Sequence, residues 1–161
     1  MGTTTNAYIS FGIELEEGFE FPWGCDIDDW WITEVHGYKP PFRLYTDEGN
    51  YLDEYLDSSG KFNPEYQHLI DSYYEHKRVF TKTLPKVPVE LVDTCSGDCP
   101  MYIIAIPSTV TFATRGGPQK LNVDEDFKID QDDLKAYTNF IKKYIPELDE
   151  EPSWFLSSYW G

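Results

Sequence analysis

Two helical stripes and several short strand patterns organise this chain. In 7–15, Ile9, Phe11, Ile13 and Leu15 alternate with Ser10, Gly12 and Glu14, so the segment reads as a strand with one face in the core. In 26–37 the acids fall in the first turn, where they suit the helix dipole, and Ile27, Trp30, Trp31 and Val35 share a face. Gly37 offers a C-terminal stop, and a short helix is expected. Pro40 and Pro41 then impose an extended chain. The stretch 46–60 is acidic and turn-rich, with Tyr51, Leu52, Tyr55 and Leu56 spaced for one helical turn.

The strongest helix signal follows. Asn63 is the cap, Pro64 takes the first position and Glu65 lies in the first turn. Tyr66, Leu69, Ile70, Tyr73 and Lys77 recur at 3–4 spacing, which predicts a helix to about Phe80. Strand patterns occupy 87–93, 101–106 and 109–114, the middle one apolar on both faces like a covered central strand. A last helix starts at Asp130, with Asp133 as a capping-box analogue and Ile129 and Leu134 as a hydrophobic staple. Leu134, Tyr137, Phe140, Ile141 and Tyr144 form its stripe and Pro146 ends it. The remainder, 147–161, is acidic and then aromatic (Trp154, Phe155, Tyr159, Trp160) and reads as a tail docked on the body. The order β-α-α-β-β-β-α indicates one α+β domain over 1–161, a mainly antiparallel sheet of about four strands packed with about three helices.

Charge changes this picture more than composition does. The 161 residues carry 13 Lys+Arg against 29 Asp+Glu, a net charge of −16. With 40% hydrophobic and 17% aromatic residues, the chain is not a disordered acidic tail. Residues 1–60 hold 13 acids and 2 bases (−11), 61–120 hold 6 and 7 (+1), and 121–161 hold 10 and 4 (−6). Direct binding to nucleic acid is not expected, because it requires a basic footprint. The longest apolar run, 101–106, is too short to span a membrane, and the first residues match neither a signal peptide nor, with Asn6, a myristoylation site. Three cysteines without a secretion signal favour a reducing cytoplasm.

Catalytic and metal patterns are weak. Cys95 and Cys99 form a C-x3-C spacing without nearby ligands to complete a zinc site, and a tight turn through Gly97 is the simpler reading. Residues 122–133 place oxygen side chains at several calcium-loop positions. However, Phe127 stands where the turn wants glycine, Asp133 replaces the bidentate Glu, and Arg115-Gly116-Gly117-Pro118 is no entering helix. Capping accounts for Asp130 and Asp133 without an ion. His68 and His76, eight apart on one helix, point about 80° from each other and do not converge. No nucleotide-binding or nucleophile-elbow motif is present. Trp23, Trp30, Trp31, Trp154 and Trp160 are read first as core filling. No cofactor and no metal are expected, and the chain reads as a non-enzyme.

The net charge is itself the candidate feature, since a magnitude of about 2–8 suffices for solubility. Sixteen charges match roughly 27 Å of duplex, or about eight base pairs. The expected binding residues are Asp26, Asp28, Asp29, Asp47, Glu48, Asp53, Glu54 and Asp57 in the first acidic segment, and Asp124, Glu125, Asp126, Asp132, Glu147, Asp149, Glu150 and Glu151 in the second. The expected partner is a basic protein that handles nucleic acid, whose groove this surface occupies in place of DNA or RNA. Mimicry would require these carboxylates to converge on one face.

The stretch Phe11-Gly12-Ile13-Glu14-Leu15-Glu16-Glu17-Gly18-Phe19-Glu20-Phe21-Pro22-Trp23, the Asp29-Trp30-Trp31 of the first helix and the ending Leu156-Ser157-Ser158-Tyr159-Trp160-Gly161 resemble small acidic tailed-bacteriophage proteins without an assigned activity. The resemblance implies an accessory or counter-defence inhibitor in the host bacterial cytoplasm, of the kind that includes nucleic-acid mimics, and it carries over no site residues. Two other readings stand beside it. One is a nucleotide-binding or sequestering protein using Lys77, Arg78, Lys82 and Lys86, and the other is a virion or assembly component.

Overall fold

The computed structural model describes residues 5–24, 26–46, 48–96 and 99–160. It is α+β, with one five-stranded, mostly antiparallel sheet. The chain gathers into two compact units, Met1–Cys25 with Val87–Gly161, and Asp26–Lys86.

The first unit holds the whole sheet: β1 (Thr5–Glu14), β2 (Glu90–Ser96), β3 (Cys99–Ala105), β4 (Thr111–Thr114) and β5 (Ser153–Trp160). β1 pairs along one edge with β5 over Thr5–Gly12. Its other edge takes β4 at Asn6–Ile9 and then β3 at Gly12–Glu14. β2 pairs antiparallel with β3 and, at Cys95 and Ser96, parallel with the end of β5. Hydrogen-bonded neighbours thus form a closed circuit β1–β3–β2–β5, with β4 outside it. Residues 97–98, where a Gly97 turn was expected, lie outside the described residues, though Ser96 and Cys99 face each other across the hairpin.

Both faces of β1 are covered. Across the circuit, Val92, Ile103 and Ala105 pack with Tyr8, Val110 and Phe155. Register places Ser10 and Gly12 on this enclosed face, and Ser10 is 0% exposed. The opposite face carries Ile13, Leu15, Ile104 and Ile106 against the helix Gln131–Tyr144, whose Tyr137, Phe140 and Ile141 are buried. Tyr137 donates its hydroxyl hydrogen to Ile104 O at 2.9 Å.

The expected alternation in 7–15 sends Ser10 to solvent, and the structure corrects this. A sheet that curls onto itself buries the polar-looking side of its strand, and Ser10 lies there beside Tyr8 and Phe155. The end of the 147–161 tail docks as a strand: 153–160 is β5, lying between β2 and β1. Its serines conceal the strand pattern, and its pairing depends on residues about 150 positions away.

The second unit holds the expected short helix, α1 (Ile27–Trp30), which widens into a π turn over Trp31–Val35. Gly37 ends it at φ 67°, letting Tyr38 N–H reach Ile32 O at 3.0 Å. Asn63 caps a 3₁₀ turn, Pro64–Tyr66, that runs into α2 (Gln67–Thr81). The turn foreseen near Tyr51–Leu56 is a single 3₁₀ turn, Asp53–Tyr55. Ile32, Tyr38 and Leu44 are buried, and aromatic contacts supply much of the remaining packing. Tyr45, for instance, lies 5.0 Å from Tyr51 and 5.8 Å from Tyr73 between ring centres.

In the first unit, α3 (Val123–Asp126) precedes α4 (Gln131–Tyr144). The candidate calcium loop is therefore two helix starts. Asn122 accepts Asp124 N–H, and Asp130 accepts the N–H groups of Asp132 and Asp133. The capping box is only half present, because Asp133 turns its carboxylate to the Ser108 hydroxyl at 2.6 Å. Among the described residues no helix is long and apolar enough to cross a membrane.

Candidate functional site

The sixteen expected binding carboxylates divide equally between the units: 26–57 in the second and 124–151 in the first. Asp47 lies outside the described residues. Of the other fifteen, Asp29 is half-buried and the rest are exposed.

Several have local structural work. Asp26 caps α1 by accepting Asp29 N–H at 2.9 Å. Asp29 pairs with the Lys77 ammonium. Asp57 accepts from Ser59 N–H, the Ser59 hydroxyl and Lys61 N–H, and these bonds, led by the Ser59 hydroxyl, hold its carboxyl below the usual range. Asp126 accepts Asn122 N–H at 2.6 Å. Glu48 is likewise lowered, first by the Thr46 hydroxyl, and with Asp53 it borders a cleft of about 440 Å³ that Tyr51 and Phe62 also line.

In the first unit the structure brings Asp149, Glu150 and Glu151 together on the rim of a second cleft, of about 390 Å³. Phe11 and Ile13 of β1 and Leu134, Tyr137 and Ile141 of α4 also border it, Ile13, Tyr137 and Ile141 being almost fully buried, and Lys142 is the one basic residue lining it. The arrangement follows from local sequence. Pro146 follows the end of α4, and Pro146, Leu148, Asp149, Glu150, Glu151 and Pro152 of the proline-bracketed segment leading to β5 all line the cleft. Asp124, Glu125 and Asp126 sit on α3 and Asp132 in the first turn of α4, and none of them lines this cleft.

Further acids lie outside the expected set. The exposed Glu14, Glu16, Glu17 and Glu20 belong to the first unit, which holds 17 acids and 6 bases (−11) against 12 and 7 (−5) in the second. Leu134, Tyr137 and Ile141 of the α4 stripe also border the cleft. The prolines at 146 and 152 around an acidic run were the available signal.

The rival chemistry fares less well. Lys77 holds Asp29, and Arg78 holds Glu75 at 2.6 Å, so two of the four candidate phosphate-binding cations already face carboxylates. The tryptophans are dispersed: Trp23 is buried against Phe140, Trp154 packs on Phe11 and Phe127, and Trp31 donates to Pro85 O at 3.0 Å. His68 meets Glu65 O and His76 meets the Tyr38 hydroxyl, two separate environments. No family model, curated protein or solved structure matches the chain.

Proposed function

We propose that this protein is a non-enzymatic inhibitor that presents its acidic surface to a basic groove on a bacterial protein handling nucleic acid or defending against it, and so competes with DNA or RNA. The observation that carries the reading is the exposure of fourteen of the fifteen described candidate carboxylates, in a chain whose net charge of −16 exceeds what solubility requires. An uncompensated anionic surface raises the association rate with a cationic groove and repels nucleic acid itself. The phage resemblance agrees with such a role, in the host cytoplasm.

The test is capture from a bacterial lysate on the immobilised protein. Basic nucleic-acid-binding proteins should be retained at low salt and released both by about 0.5 M salt, where the Debye length falls below about 5 Å, and by a duplex oligonucleotide. Retention of no basic protein at low salt, or release by salt but not by the oligonucleotide, would count against mimicry.

A further inference from the structure

β4 ends the sheet on one side. It pairs with Asn6–Ile9 of β1, and among the described residues no strand lies beyond it. Alternate residues of Thr111–Thr114 therefore turn their N–H and C=O groups outward. The one further backbone bond to this strand, among the described residues, runs from Gly117 N–H to Thr114 O at 2.9 Å.

Sheets commonly guard such an edge with charged side chains or proline, because an open ladder accepts another strand. The sequence Thr111-Phe112-Ala113-Thr114 has neither. Its Phe112 is 57% exposed, the one exposed ring among ten phenylalanines, and touches Tyr8 of β1 at 6.2 Å between ring centres.

Charge decides what can cover the edge. The segments 1–13, 99–123 and 152–161 supply β4, β5 and the part of β1 paired with them. They contain no Asp or Glu, although the chain carries 29, and their only charged residues are Arg115 and Lys120. A basic partner finds no counter-charge there. A second copy does fit, since two chains of −16 meet with least repulsion through acid-free strands. A strand paired antiparallel with its own copy is also self-complementary.

From the open ladder, the exposed ring and this charge pattern we infer that two copies of the chain join β4 to β4, antiparallel across a twofold axis, in one continuous sheet. An axis at Phe112 sets its ring opposite the partner subunit's Phe112, so that each covers the other. The inference goes beyond the acidic-surface reading and does not depend on it.

The experiment is sedimentation equilibrium of the full chain, at protein concentrations up to about 0.3 mM, enough to populate a micromolar dimer. A monomer–dimer equilibrium is expected, and it should tighten between about 0.05 and about 0.5 M salt as repulsion is screened. That salt response is opposite in sign to the one expected of the lysate capture, so the two readings fail separately. Phe112→Lys removes the ring contact and sets like charges opposite each other, and should weaken the dimer at least about tenfold. Leu156→Lys, at a position 79% exposed on β5, should leave it unchanged. Phe112→Cys should cross-link into a covalent dimer on mild oxidation, well above Leu156→Cys and the wild type with its three native cysteines. Melting curves would check each fold, and if Phe112→Lys does not fold the cysteine variants decide. A wild type monomeric throughout, a dimer that loosens with salt, or cross-linking by Phe112→Cys no greater than by Leu156→Cys would overturn the inference. So would a folded Phe112→Lys that dimerises like the wild type.

Discussion

At Gly12 the fold leaves no room for a side chain. β1 exchanges its β4 neighbour for β3 near this position, and a Cβ there would lie 2.1 Å from Ile104 O and 2.7 Å from the Ala105 Cα. Both obstacles are backbone, so the strand itself would have to move. Gly12→Ala should therefore destabilise the protein by more than about 3 kcal/mol, among the largest single-residue effects. Urea denaturation followed by tryptophan fluorescence would measure it, and a loss under 1 kcal/mol would show that the strands separate easily. Ser10, two residues earlier, is fully enclosed. Its hydroxyl and that of Ser157 are buried with no hydrogen-bond partner among the described residues, a rare state for a buried polar group.

Elements formed where local signals agree with one another. Asn63 with Pro64, and Asp130 before the stripe of α4, start helices as their chemistry requires. Asp130→Ala should cost about 1 kcal/mol by freeing the N–H groups of Asp132 and Asp133. Thermal melting would read that cost, and Asp130→Asn, which keeps an acceptor oxygen, should restore most of it. β5 had no such local signal. Its alternation is broken by Ser153, Ser157 and Ser158, and its place in the sheet comes from eight backbone pairings with β1. The stripe of α4 was legible as a stripe, but not the division by which Phe140 is covered while Leu134 and Ile141 also border the cleft.

For the whole molecule, the tyrosines link fold to pH. Burial pushes the Tyr137 hydroxyl well above its ordinary value, and burial with the Tyr74 hydroxyl bond does the same to Tyr45. Burial likewise raises Tyr38. A phenol raised on folding ionises more readily in the unfolded chain. Its stabilising contribution is complete below pH 10 and is lost as pH rises through the folded value. Stability should therefore fall as pH climbs above 10, and the added negative charge increases the self-repulsion of a chain already at −16. Chemical denaturation at pH 8 and pH 11 would show the loss, and Tyr137→Phe should reduce its size. An unchanged midpoint across that interval would contradict the burial of these phenols.

The sequence by itself determined what short-range chemistry controls: the helices of 26–37, 63–81 and 130–144, three of the strands beyond β1, the α+β class and the excess of negative charge. Caps, prolines and 3–4 spacing act within a turn or two, so they are readable without the fold. Tertiary structure alone decided that 153–160 joins the sheet, that Ser10 and Gly12 face inward, and that carboxylates 149–151 line one cleft with residues of β1 and α4. Each of these depends on pairing residues about ninety or more positions apart, where the entropy of closing the chain is repaid only once the whole sheet has formed.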